Sequence, residues 1–123
     1  MEQTRKILII DKSPERKKRI QALKNRGFAV FPALNIAEAR NRCKPGSYDL
    51  IVVNSGEEQD AAAELCNSIL QRAPKQLLLL MVNPEDPIPA RDYALTNKED
   101  ELVRRVEGML GRRSATSDVA LAA

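Results

Sequence analysis

A chain of 123 residues, 43% hydrophobic, 30% charged and with a net charge of +3, can build one core and not two. Its longest apolar run, Leu77 to Val82, is far shorter than the ~20 residues of a membrane span, and Ile7 to Ile10 is shorter than the roughly 7–15-residue core of an export signal, so the expected location is the cytoplasm, with no membrane partner. The absence of histidine and the presence of only two cysteines, Cys43 and Cys66, remove most zinc sites, every Ser-His or Cys-His nucleophile pair and any disulfide framework.

Arg5-Lys-Ile-Leu-Ile-Ile-Asp11 reads as a short buried strand, a branched aliphatic run too brief for a helix and stopped by a carboxylate. Ser13-Pro14-Glu15 offers an N-cap, a proline at the first helical position and an acid in the first turn. They predict a helix ending at Gly27, with Ile20 and Leu23 inward and Ala22 beside them. Phe28 to Phe31 is a second strand, Asn35 with Glu38 caps a short helix closing at Pro45-Gly46, and Asp49 to Val53 is a third strand ending at Asn54. Ala61 to Arg72 predicts a third helix with Leu65, Ile69 and Leu70 inward, Gln76 to Val82 a fourth strand, and Asp92 to Leu95 a weak fifth. Asp100 to Leu110 predicts a final helix whose Leu102, Val103, Val106 and Leu110 share one face. Residues 1–112 form the expected domain; residues 113–123, small and without periodicity, form an expected disordered tail.

Strands alternating with helices imply right-handed crossovers and a parallel sheet covered on both faces, the doubly wound α/β plan. The working end of such a sheet is the carboxyl edge of its strands, where Asp11, Asn54 and Met81 to Asn83 should converge.

Lys6-Ile-Leu-Ile-Ile-Asp11, Arg26-Gly27-Phe28-Ala-Val30, Ala33 with Ala37-Glu38-Ala39, and Tyr48-Asp49-Leu-Ile-Val-Val53, in that order and spacing, resemble the receiver domain of bacterial two-component response regulators over roughly residues 5–110. The resemblance implies a flavodoxin-like (CheY-like) five-stranded parallel sheet in the order 2-1-3-4-5. It also implies a phosphorelay role, in which an aspartate ending the third strand takes a phosphoryl group from a histidine kinase. Active members hold Mg²⁺ with acids after the first strand, and use a Ser/Thr after the fourth strand and a Lys after the fifth.

At each of these positions the chain departs from the family. Asn54 stands at the acceptor position, and an amide forms no acyl phosphate. The acidic pair becomes Asp11-Lys12, a poor offer to a cation that favours an octahedral shell with carboxylates. Met81 replaces the Ser/Thr and cannot donate a hydrogen bond; Thr96 replaces the lysine, with Lys98 two positions late and no proline following. Between Met81 and Tyr93 the prolines at 84, 87 and 89 leave no room for the helix the family places there, which is expected to be missing or replaced by a Pro-rich loop.

These substitutions describe a degenerate pocket of Asp11, Lys12, Asn54, Met81 and Thr96, with no metal and no cofactor expected. In its sharpest form, the Lys12 ammonium stands in for the metal, neutralising Asp11 and hydrogen-bonding the Asn54 amide. Plainer readings make Asp11 a strand-end acid satisfied by backbone N–H groups and Lys12, Met81 a core filler, Tyr93 packing, Cys43 and Cys66 core thiols, and Thr96 with Glu99 a capping box.

The charge is polarised: residues 1–44 carry 12 Lys/Arg against 4 Asp/Glu, residues 45–101 carry 4 against 11, and residues 102–123 carry 4 against 2. First and last helices share a face in this plan, so Arg16, Lys17, Arg19, Lys24, Arg104 and Arg105 are candidate partner contacts, whereas Glu57, Glu58, Asp60 and Glu64 form an acidic, solvated loop. In active receivers the first helix docks the kinase. The expected function is therefore a phosphorylation-independent receiver acting through a protein partner, a histidine kinase or another signalling protein, and not an enzyme. The alternatives are an active phosphorelay receiver with another acceptor, such as Asp11, and a basic nucleic-acid-binding module, which the lack of aromatics among the basic residues disfavours.

Overall fold

A computed structural model of the chain describes residues 4–44, 46–87, 92–96 and 101–111. Its elements are β1 (Lys6–Ile10), α1 (Arg16–Lys24), β2 (Ala29–Ala33), α2 (Ile36–Arg42), β3 (Leu50–Asn54), α3 (Gln59–Arg72), β4 (Leu77–Val82), β5 (Ala94–Thr96) and α4 (Glu101–Leu110). The five strands form one parallel sheet in the order β2-β1-β3-β4-β5. The flavodoxin-like order implied by the resemblance is thus the observed one.

The aliphatic strands read as continuous runs because both faces of the sheet are covered, and the pleat sends alternate residues to opposite cores. Leu8, Ile10, Ile51, Val53, Leu78, Leu80 and Val82 pack with α2 and α3, through residues such as Ile36, Leu65 and Ile69. Ile7, Ile9, Leu50, Val52, Leu79 and Met81 pack on the other face with Leu23 of α1 and Leu102, Val106 and Leu110 of α4. Met81 is fully buried there, as a core filler should be. Truncating Leu65, at 0% exposure among these side chains, to alanine should cost about 2–5 kcal/mol, measurable as a shift in urea midpoint at unchanged slope.

Two boundaries differ instructively from the sequence reading. Proline 14 does not open α1, which starts at Arg16 with no side-chain cap on its first turn; Ser13 is instead engaged through its hydroxyl with Arg19. Strand β2 runs on to Ala33 through Pro32, tolerated because β2 lies at the sheet edge and an edge strand can spare an N–H. At the far end of α1 the chain turns at Gly27, φ +93°, a conformation L side chains rarely adopt.

No helix lies between β4 and β5 among the described residues. β5 meets only the last residues of β4: Leu80 opposite Ala94, Met81 opposite Leu95, Val82 opposite Thr96. The expected tail at 113–123 and the Glu99 half of the Thr96 capping box lie outside the described residues, as does Lys98. Among the described residues no helix is long and apolar enough to cross a membrane.

Candidate functional site

Strand register builds the site. Ile9 pairs with Val52, so two residues on, at the carboxyl edge, Asp11 comes beside Asn54 on the side facing α1. Asn54 Nδ2 donates to Asp11 Oδ1 at 3.1 Å. The backbone N–H of Ser13 donates to the same oxygen at 2.8 Å, closing an Asx turn. Arg19, one turn into α1, reaches Asp11 Oδ2 with Nη1 at 2.6 Å and Ser13 Oγ at 2.9 Å. Asp11 is 3% exposed and the Arg19 side chain 11%, so this pair is largely withdrawn from water.

Lys12 does not enter the pocket. Its ammonium pairs with Glu58 Oε1 at 2.6 Å, with both side chains substantially exposed. The reason is the pleat: the residue after Asp11 faces the opposite side of the sheet, toward the start of α3. Two expectations are corrected together, since Arg19 rather than Lys12 neutralises Asp11, and Glu58 is paired rather than simply solvated. The signal for Arg19 was present in the sequence. It lies four residues before Leu23, hence on the same inward stripe of α1, one turn closer to the carboxyl edge.

Met81 and Thr96 border the site without joining it. Met81 sits opposite Asn54 in the ladder, its carbonyl accepting from Ser55 N–H at 2.9 Å, and its side chain points into the core under α1 and α4. Half-buried Thr96 ends β5 opposite Val82. Asn83 Nδ2 donates to the Gly56 carbonyl at 3.1 Å, tying the β4 exit to the β3 exit.

Burial pushes the Asp11 carboxyl upward, but hydrogen bonds from the Ser13 hydroxyl and N–H, Asn54 and Arg19 outweigh it and leave Asp11 below its ordinary value of 3.8. A carboxyl depressed in the folded state contributes stability that is present above the unfolded value and lost as pH falls through the lower folded value. The urea midpoint should therefore drop below about pH 4, and Asp11→Asn should flatten that drop; an identical acid limb in both proteins would contradict the assignment.

Near this edge Asn54 Oδ1 and Ser55 Oγ are buried with no hydrogen-bond partner among the described residues. An unmatched buried hydroxyl costs about 1–3 kcal/mol, so Ser55→Ala should be neutral or stabilising by up to about 1 kcal/mol in equilibrium unfolding. Cys43 and Cys66 are buried thiols not joined in a disulfide, and desolvation raises the Cys43 thiol despite the pull of Arg72 and Arg42.

The pocket does not suit the divalent metal of active receivers. Both oxygens of Asp11 are engaged, a guanidinium already stands against one of them, and Asn54 beside it is an amide. Among the described residues no three His, Cys, Asp or Glu side chains are grouped to hold a metal.

On the face carrying α1 and α4, Arg26 of the α1 exit pairs with Glu107 at 3.3 Å, confirming that first and last helices are neighbours. Of the six candidate partner contacts, two are committed internally: Arg19 to Asp11, and Arg105, whose guanidinium donates to the Asp92 carbonyl. Lys17, Lys24 and Arg104 are exposed and Arg16 half-buried. A groove of about 890 Å³ between the helices is lined by Ala22, Leu102 and Val103 with charges of both signs, Glu15, Lys18 and Arg104 among them.

No protein-family model matches the sequence, nor does any curated protein. Solved structures do. The receiver domain of the TMAO respiratory system response regulator TorR superposes with a TM-score of 0.74 at 21% identity, over 89% of this chain and 98% of that one. A two-component response regulator from Clostridium difficile gives 0.70 at 25% identity, over 89% and 98%. A chain of the complex between the histidine kinase ThkA and the response regulator TrrA gives 0.69 at 20%, over 87% and 99%. With the observed strand order, these likenesses settle the architecture: the chain has the fold of the response-regulator receiver domains.

Proposed function

We propose that the chain is a receiver-like domain of two-component signal transduction that works by protein–protein contact, takes no phosphoryl group and is not an enzyme. One observation carries the reading. At the strand end where receivers present their phospho-acceptor stands Asn54, its amide spent on Asp11, whose charge is already met by Arg19. Asp11 is a poor substitute acceptor, being 3% exposed with both oxygens hydrogen-bonded. The likeness to a regulator solved with its histidine kinase supports a partner of that kind, and the exposed basic residues Lys17, Lys24 and Arg104 are the contact surface we assign to it. Rim charges of this sort act mainly on association rate, so Lys17→Glu with Lys24→Glu should slow binding to a kinase dimerisation domain about tenfold or more at low salt. The phosphoryl question is tested on the unmodified chain. Incubation with acetyl phosphate and Mg²⁺ should leave the intact mass unchanged, and a stoichiometric, hydroxylamine-labile adduct would overturn the proposal.

A further inference from the structure

Arg19 sets a cation against the buried carboxylate of Asp11. Its Nη1 is 2.6 Å from one oxygen of a carboxylate whose side chain is 1% exposed, and 2.9 Å from the Ser13 hydroxyl oxygen. The second carboxylate oxygen takes the Ser13 N–H and the Asn54 amide, so Asp11 has its donors and its countercharge from the chain alone. A carboxylate this deep is stable only when paired, and a planar guanidinium suits the geometry of a carboxylate. The tether is short and held: Leu23, one turn further along α1, is fully buried in the sheet core.

We infer that Arg19 is the resident cation of this pocket, a tethered guanidinium that occupies the place of a divalent metal and makes the site indifferent to metal concentration. A ligand that binds the folded state stabilises it in proportion to its concentration, whereas a charge carried by the chain does so independently of concentration. Displacing the guanidinium would leave it largely buried without its carboxylate, and among the described residues the metal entering would find no group of three acids to hold it. The inference deepens the proposed function, since a receiver whose pocket supplies its own cation has no metal-dependent state to report.

The experiment compares thermal melts of wild type, Asn54→Asp, and Arg19→Gln combined with Asn54→Asp, each in MnCl₂ and in NaCl of equal ionic strength. Wild type and Asn54→Asp should show no rise beyond the NaCl control. The double variant, with two facing carboxylates and no guanidinium, should rise by about 5 °C or more at saturating Mn²⁺. A rise in Asn54→Asp equal to that of the double variant would overturn the inference, as would a folded double variant that ignores Mn²⁺. Should the double variant not fold, the paramagnetic ion decides on wild type: the Asn54 side-chain amide signals should keep their width in millimolar Mn²⁺, and selective broadening there contradicts a resident guanidinium. Failure here is separable from failure of the functional reading. A chain that binds Mn²⁺ at Asp11 yet takes no phosphate removes only the tethered cation; one that takes phosphate removes the reading itself.

Discussion

Replacing Asn54 by aspartate should not by itself make the chain a phospho-acceptor. The substitution restores the missing carboxylate at the end of β3, but it also replaces the amide that donates to Asp11 with a second acid and brings in no cation. Phosphoryl transfer rests on positioning and on neutralising charge that spreads over the transferred group. Here the nearest cation, Arg19, has Nη1 committed to Asp11 and Ser13, and Lys12 is turned toward Glu58 on the other side of the sheet. Acetyl phosphate should thus leave Asn54→Asp as unmodified as wild type in intact-mass measurements. Stoichiometric labelling at position 54 would mean that the neighbouring departures are incidental and that the acceptor alone disables the domain.

The second large effect belongs to Arg19. Removing one partner of a buried ion pair strands the other, at a cost of about 3–5 kcal/mol, against a total stability of about 5–15 kcal/mol for a domain. Arg19→Met keeps the aliphatic stem and should lose an amount in that range, because Asp11 stays buried with only Ser13 and Asn54 as donors. Lys12→Met should lose less than about 1 kcal/mol, since Lys12 and Glu58 form a solvent-screened pair at the surface. Chemical denaturation of the two variants side by side separates the residues by several-fold in effect, although only one position adjoins Asp11 in sequence.

The fold was legible because the signals for it are local and repeated. Aliphatic runs such as Ile7 to Ile10 and Leu50 to Val53 can be satisfied only by a sheet buried on both faces, and the three prolines after Met81 forbid a crossover helix. Edges were harder. Ser13-Pro14-Glu15 has the composition of a helix start, yet the carboxylate of Asp11 claims the Ser13 N–H and Arg19 claims its hydroxyl, so α1 begins two residues after the proline. A tertiary bond outcompeted a local cap. The pocket was half legible. The strand ends mark Asn54 and Asp11, but adjacency in sequence points to Lys12, whereas the pleat turns it away and the helical stripe through Leu23 points to Arg19. In the sequence Arg19 is one more cation of the basic helix, and composition alone does not separate a solvated arginine from one that closes a core.

That the pocket is closed by its own cation is tested most directly by a double-mutant cycle on Arg19 and Asp11, using Arg19→Met, Asp11→Asn and the combined variant in urea unfolding. The expected coupling is at least about 2 kcal/mol, with the double variant more stable than Arg19→Met alone because the stranded carboxylate has been removed. Additive losses, with coupling within about 0.5 kcal/mol of zero, would show that Arg19 and Asp11 do not act as a pair and would contradict the account.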